Sequence, residues 1–184
     1  MVVVMDHGRI DQAGSAEVIF NRPNTAYVAR FMGGQNVLTG TVVGTADGIS
    51  RLRSLNGGIF ETPTNEAAPP PGSTMSFAVR RDHVNLRKNS DKRAIALNEV
   101  RGVVESTEYQ GGYIKVFIDI GDGIFVAHVS DRDFFARPLD KGDSVVASWS
   151  AADINVLSSV DEGAAADPYS DASLSPAKEG ASEG

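Results

Sequence analysis

Two short stretches of this sequence carry side chains in patterns suited to holding a ligand. Arg80-Arg81-Asp82 sets two guanidinium groups beside a carboxylate. Planar guanidinium forks match carboxylates and phosphates, so the triplet is a candidate contact for an anion or an acidic partner. The favoured competing reading is a solvated corner paired within itself. Glu108-Tyr109-Gln110-Gly111-Gly112 offers a similar choice. Its glycines would let a ligand or a neighbouring backbone approach closely, or they simply make a hairpin turn, which is favoured. Arg80, Arg81, Glu108, Tyr109, Gly111 and Gly112 are therefore the candidate ligand or partner contacts.

Catalytic chemistry finds less support. The three histidines, His7, His83 and His128, lie far apart and outside any H-x-x-H or H-E-x-x-H pattern, so exposed or locally satisfied imidazoles are expected. The chain has no cysteine, which excludes disulfides, zinc–thiolate sites and thiol catalysis and suits a cytoplasmic setting. No G-x-x-x-x-G-K-[ST] loop is present to cradle phosphates, so nucleotide hydrolysis by this chain alone is not expected. No catalytic, cofactor-binding or metal-binding residue is assigned.

The elements that must position these residues are mainly β. With 184 residues, 41% of them hydrophobic, the chain can bury an ordinary core. A formal net charge of -7, with scattered Lys and Arg, argues against nucleic acid as a partner. No stretch approaches the roughly 20 apolar residues of a membrane-spanning helix, and the N-terminus lacks the layout of a signal peptide. From Ile114 to Ile120 the even positions are Ile, Val, Ile and Ile, the period of a half-buried strand. Gly121-Asp122-Gly123 then supplies a hairpin turn into Ile124–Val129.

Earlier in the chain, Met1–Met5 reads as a strand covered on both faces, with Arg9–Ala13 returning beside it. Ser15 caps a short helix ending before Pro23, and Asn24 or Thr25 caps a second that places Val28, Phe31 and Met32 on one face and stops at Gly33-Gly34. From Asn36 to about Leu157 a faint repeat appears. Asn36-Val-Leu-Thr-Gly40-Thr-Val42 matches Asn98-Glu-Val-Arg-Gly102-Val-Val104, and Gly72–Leu86 parallels Gly142–Leu157. Two related β units closing one barrel-like body are expected. Within them Ile49–Leu55 and Ile59–Phe60 are strands about an Asn56-Gly57-Gly58 turn, and the lone Trp149 belongs to the core. The proline-rich 66–72 and the polar 87–93 read as connections. Residues 161–184 are small, acidic and poor in large apolar groups, a composition expected to be disordered.

Three blocks of this chain resemble the C-terminal part of the ATP-binding subunit of an ABC importer, of the spermidine/putrescine type. Met1–Gln12 with Gly14–Pro23 resembles the final hairpin and trailing helix of the ATPase domain. Val28–Gly40 resembles the junction into the accessory domain. Asn98–Leu157 resembles the transport-associated OB (TOBE) domain, including the Tyr109-x-Gly111 corner. The family often has Arg-Pro-Glu where this chain has Arg80-Arg81-Asp82. Met32-Gly33-Gly34-Gln35 superficially resembles the ABC signature loop, but it follows a helix instead of opening one and reads as a C-cap.

The resemblance implies an OB-like β-barrel from two related units, preceded by a β-hairpin and two short helices. It divides the chain into 1–34 from the ATPase domain, 35–160 as the TOBE domain, and the 161–184 tail. It further implies a non-catalytic regulatory and dimerisation role, with ATP and Mg bound elsewhere in the full-length family. The implied partners are a second ATP-binding subunit and the membrane permease subunits, at the cytoplasmic face of the membrane. The alternative is a free-standing module that binds a small oxyanion or a polyamine.

Overall fold

The computed structural model describes residues 1–64, 69–89 and 94–158. The chain opens with strands β1 (Val2–Asp6) and β2 (Arg9–Gly14), paired as an antiparallel hairpin. Helix α1 (Ala16–Asn21) follows, its first turn closed by Ser15 Oγ accepting from the Val18 amide at 3.2 Å. Helix α2 (Ala26–Gly33) starts on Thr25 in the same way and ends at Gly34, whose left-handed φ of 52° lets the chain leave the helix. Both caps, and the helix-terminating role of the glycine pair, match the expectations from sequence.

Two expectations there are corrected. The β1–β2 hairpin is covered on one face only: Val4 packs with Ile19 and Val28, while Val3, Met5 and Ile10 face outward. Two strands have a single helical layer beneath them, so their second face stays open. Phe31 also leaves the buried face of α2, because Ala26, Val28 and Ala29 occupy it, and Phe31 instead stacks on Tyr27 with ring centroids 5.6 Å apart.

The rest is two curled five-stranded antiparallel sheets. The first half of the sequence supplies β3 (Asn36–Ala46), β4 (Ile49–Arg53), β5 (Ile59–Pro63), β6 (Thr74–Val79) and β7 (Asn85–Lys88). The second half supplies β8 (Glu99–Tyr109), β9 (Tyr113–Asp119), β10 (Ile124–Ser130), helix α3 (Asp131–Ala136), β11 (Ser144–Ser148) and β12 (Ile154–Val156). One sheet has the order β12-β6-β3-β4-β5 and the other β10-β9-β8-β11-β7. The two halves therefore exchange their last strands: β7 completes the second unit, and β12 completes the first.

The repeat is carried into the geometry. β3 and β8 are both 11 residues long, and each carries a bulge at the same repeat position, after Val42 and after Val104. Val42 N–H donates to Ser73 O and Gly72 N–H to Val42 O; the equivalents, Val104 to Asp143 and Gly142 to Val104, match within 0.1 Å. Short 3-10 turns at Arg81–His83 and Ala151–Asp153 precede the two exchanged strands.

One apolar cluster runs through both units, from Val42, Leu52, Phe60 and Phe77 to Val104, Ile114, Val116, Ile118 and Phe125. Trp149 joins them, with its ring centroid 5.6 Å from Phe60, 6.3 Å from Phe77 and 5.6 Å from Phe125. Its expected core position is thus confirmed, and the architecture is the expected OB-like barrel built from two related units. Helix α3 was not anticipated, although Ser130-x-x-Asp133 is the start signal that encodes it: Ser130 Oγ accepts from the Asp133 N–H at 3.1 Å as the N-cap and donates to the Asp133 carboxylate at 2.8 Å. Arg87 and Lys88, read as linker, lie in β7 opposite Val146 and Val145. A polar sequence sits there because β7 is an edge strand with one face in solvent. The acidic tail and residues 90–93 of the expected linker lie outside the described residues.

Candidate functional site

The first repeat turns its polar corner at Arg80–His83, and the structure uses part of this corner internally. Arg80 donates from Nε and Nη2 to the two carboxylate oxygens of Asp82, at 3.0 and 2.6 Å, and from Nη1 to Asn21 Oδ1 at 2.6 Å. Its guanidinium also lies 5.0 Å from the centre of the Phe20 ring. Arg80 is therefore the clasp that seats α1 on the barrel, and its hydrogen bonds hold the Asp82 carboxyl below the ordinary range. At the far end of the corner, His83 Nδ1 lies 2.8 Å from Asp153. These two residues occupy equivalent repeat positions, so the pair bridges the two units where their strands exchange.

Arg81 turns the other way, against Gly34. A Cβ at Gly34 would lie 2.7 Å from Arg81 Nη1, a contact the flexible guanidinium can yield, so it is the positive φ that favours glycine there. Together α1, α2, the Arg80–Asp82 corner, β10 and α3 enclose a cleft of about 790 Å³. Of the six candidate contacts, Arg80, Arg81 and Gly112 line it.

The other three lie elsewhere. Glu108 faces the wider groove of about 1140 Å³ between the two units, 3.8 Å from Lys115 Nζ. Tyr109 is largely exposed beside Phe135, with centroids 6.4 Å apart, and Gly111 makes the β8–β9 turn at φ 84°. The cleft also recruits residues that the sequence did not single out as contacts: Phe20, Tyr113, His128, Ser130 and Arg137. They come from four separate elements or their ends, and no local pattern announces them.

His128 shows the electrostatic character of this cleft. Its ring stacks on Tyr113 at 4.4 Å, and burial, aided by the charge of Arg81, pushes its pKa down to about 4. Asp82 opposes the shift and Lys115 adds to it. The imidazole is neutral at pH 7. The unfolded chain takes up this proton near pH 6.5, the folded one only near pH 4, so stability falls as pH drops between those values. His128 is only half-buried, and with solvent screening the expected loss is about 1 kcal/mol. Urea melts at pH 7 and pH 4.5 should show it, and His128→Gln should flatten that part of the profile; an unchanged slope in the variant would refute the assignment.

Among the described residues no group of three or more His, Cys, Asp or Glu side chains is arranged to hold a metal. The arrangement can hold an anionic group against guanidinium and apolar walls.

Residues 77–157, which span the second unit and the exchanged strands, match the family model of the TOBE domain. The chain carries this domain and is similar, along four fifths of its length, to ATP-binding subunits of ABC importers of the spermidine/putrescine type. It is 29% identical over 158 residues to the spermidine/putrescine import ATP-binding protein PotA of Lawsonia intracellularis, covering 80% of this chain and 40% of that protein. It is 30% identical over 173 residues to the PotA of Treponema pallidum, covering 87% of this chain and 45% of that one. The chain thus spans less than half the length of these relatives. Among solved structures, the cytoplasmic molybdate-binding protein ModG, with molybdate bound, superimposes with a TM-score of 0.56 at 20% identity, over 66% of this chain and 94% of that one. That likeness is one of fold.

Proposed function

We propose that the chain acts as the regulatory and dimerisation region of an ABC importer ATP-binding subunit serving polyamine uptake. The observation that carries this reading is the extent of the similarity to PotA proteins, which reaches well beyond the matched TOBE domain. In this reading residues 1–34 are the end of an ATPase domain and 35–160 the accessory domain. The outward face of Val3, Met5 and Ile10 is consistent with this division, because such a hairpin is the margin of a larger sheet. ATP and its metal would bind outside this chain. The partners would be a second ATP-binding subunit and the permease subunits, at the inner face of the membrane. No helix among the described residues is long and apolar enough to cross a membrane.

Sedimentation at rising concentration should show reversible dimerisation. A strict monomer at high concentration would refute the assembly part of the proposal. Disrupting the gene should lower uptake of labelled spermidine, and unaffected uptake would remove the polyamine assignment.

A second reading, a free-standing module for a small oxyanion or polyamine, draws on the shared fold with a molybdate-binding protein and on the Arg81 cleft. The first is favoured, because a free-standing module has no use for the β1–β2 hairpin.

A further inference from the structure

We propose that the cleft between the N-terminal helices and the second β unit binds a small organic anion, a carboxylate or phosphate ester with an apolar body. The inference shares with the second reading above a small-ligand site but assigns it an organic anion in place of a bare oxyanion or polyamine, and it also holds for a chain working inside an importer.

Size comes first. At about 790 Å³ the cleft lies in the range of sites that hold organic ligands, of order 300–1,000 Å³. A bare tetrahedral oxyanion would leave most of it to water. The walls are of two kinds: Phe20, Leu86 and Val129 offer apolar surface, and Arg81 and Arg137 supply guanidinium groups.

Charge comes second. Arg80 and Asp82 neutralise each other in a two-pronged pair, whereas the Asp133 carboxylate, which accepts from Ser130 Oγ at 2.8 Å, keeps its charge, so Arg81 and Arg137 against Asp133 leave the cleft with a net positive charge. Arg137 is exposed and makes no ion pair among the described residues. The positive field of Arg81 reaches the ring of His128. A neutral imidazole adds no charge of its own, so recognition of an anion falls to the two arginines.

The repeat supplies an internal control. The equivalent corner of the second unit is Ser150-Ala151-Ala152-Asp153, and it builds the same 3-10 turn without a basic residue. The turn geometry therefore does not call for arginine at position 80 or 81. Arg80 holds α1, and Arg81 lies against Gly34 and lines the cleft.

Location gives the site a consequence. Phe20 belongs to α1 and Gly33 to α2, whereas His128 and Val129 belong to β10. A ligand spanning the cleft would touch both sides and tighten the seat of the N-terminal segment on the barrel.

The test is titration calorimetry on the whole chain. The probes are citrate and 3-phosphoglycerate as organic anions, inorganic phosphate and molybdate as bare oxyanions, and spermidine as a cation. At least one organic anion should bind ten-fold or more tightly than inorganic phosphate. Arg137→Gln, at an exposed position that leaves folding intact, should weaken it at least ten-fold, as should Arg81→Gln. Amides of residues 16–33 should gain hydrogen-exchange protection on binding. No heat with either organic anion, equal or tighter binding of bare oxyanions, or binding that survives both substitutions would overturn the proposal. A failure to dimerise or to support spermidine uptake would instead count against the importer reading and leave these outcomes unaffected.

Discussion

Gly102→Ala is expected to lower the melting temperature by about 10 °C, through a loss of about 3 kcal/mol. Gly102 lies in β8 where the neighbouring β9 passes close. A Cβ there would press into the carbonyl oxygen of Asp119 and sit 2.5 Å from Ile118 Cγ2. Backbone on one side and a fully buried side chain on the other leave nothing flexible to give way, so the strands must separate. Gly40, its repeat equivalent, is close but less so, with the Leu52 Cβ at 3.0 Å and the Arg53 carbonyl oxygen at 3.1 Å. Gly44 is the control. It lies beside the bulge of β3, where an added Cβ meets nothing within 4 Å, so Gly44→Ala should stay within about 0.5 kcal/mol of the parent. Thermal melts of the two variants decide the matter. If Gly102→Ala melts with Gly44→Ala, close strand passage is not what this glycine provides.

Asn36→Ala should cost nearly as much, about 3 kcal/mol, for a different reason. Asn36 is almost fully buried, and its amide embraces the backbone of one residue of β10. Nδ2 donates to Val126 O at 2.8 Å, and Oδ1 accepts from Val126 N–H at 2.8 Å. β10 is the edge of its sheet, so these two backbone groups have no strand to pair with, and the side chain stands in for one. Asn98 does the same for the edge strand β5: its Oδ1 accepts from Glu61 N–H at 2.9 Å, and Nδ2 reaches Glu61 O at 3.4 Å.

Each unit's leading asparagine thus closes the edge of the other unit. Truncation leaves a buried N–H and a buried C=O without partners, each costing about 1–3 kcal/mol. The Val126 amide should also lose hydrogen-exchange protection ahead of its neighbours in β10. Asn98→Ala should be weaker at the hydrogen bond yet burdened by φ of 54°, which Asn98→Gly separates by relieving the backbone alone. Unchanged stability and unchanged exchange at Val126 would mean that the clamp does not close the barrel.

These two residues are the N and G of the repeat visible in the sequence, N-x-x-x-G-x-V. The repeat could be read from letters alone because each unit solves the same packing problem with the same residue types. Its purpose could not, since the partners of Asn36 and Asn98 lie 90 and 37 residues away along the chain.

The same division runs through the candidate site. Residue order by itself determined the caps at Ser15 and Thr25, the stop at Gly34, the period-two burial of Ile114, Val116 and Ile118, and the glycine turns. Those features depend on neighbours within a few positions, where backbone conformation and side-chain period are set. Tertiary structure alone decided that Arg80 is committed to α1, that Arg81 lines one cleft with His128 and Arg137, and that Tyr109 stays outside with Phe135. It also decided the exchange of β7 and β12, because antiparallel edges pair by register and closure of the core, and neither quantity is written in the residues of one strand.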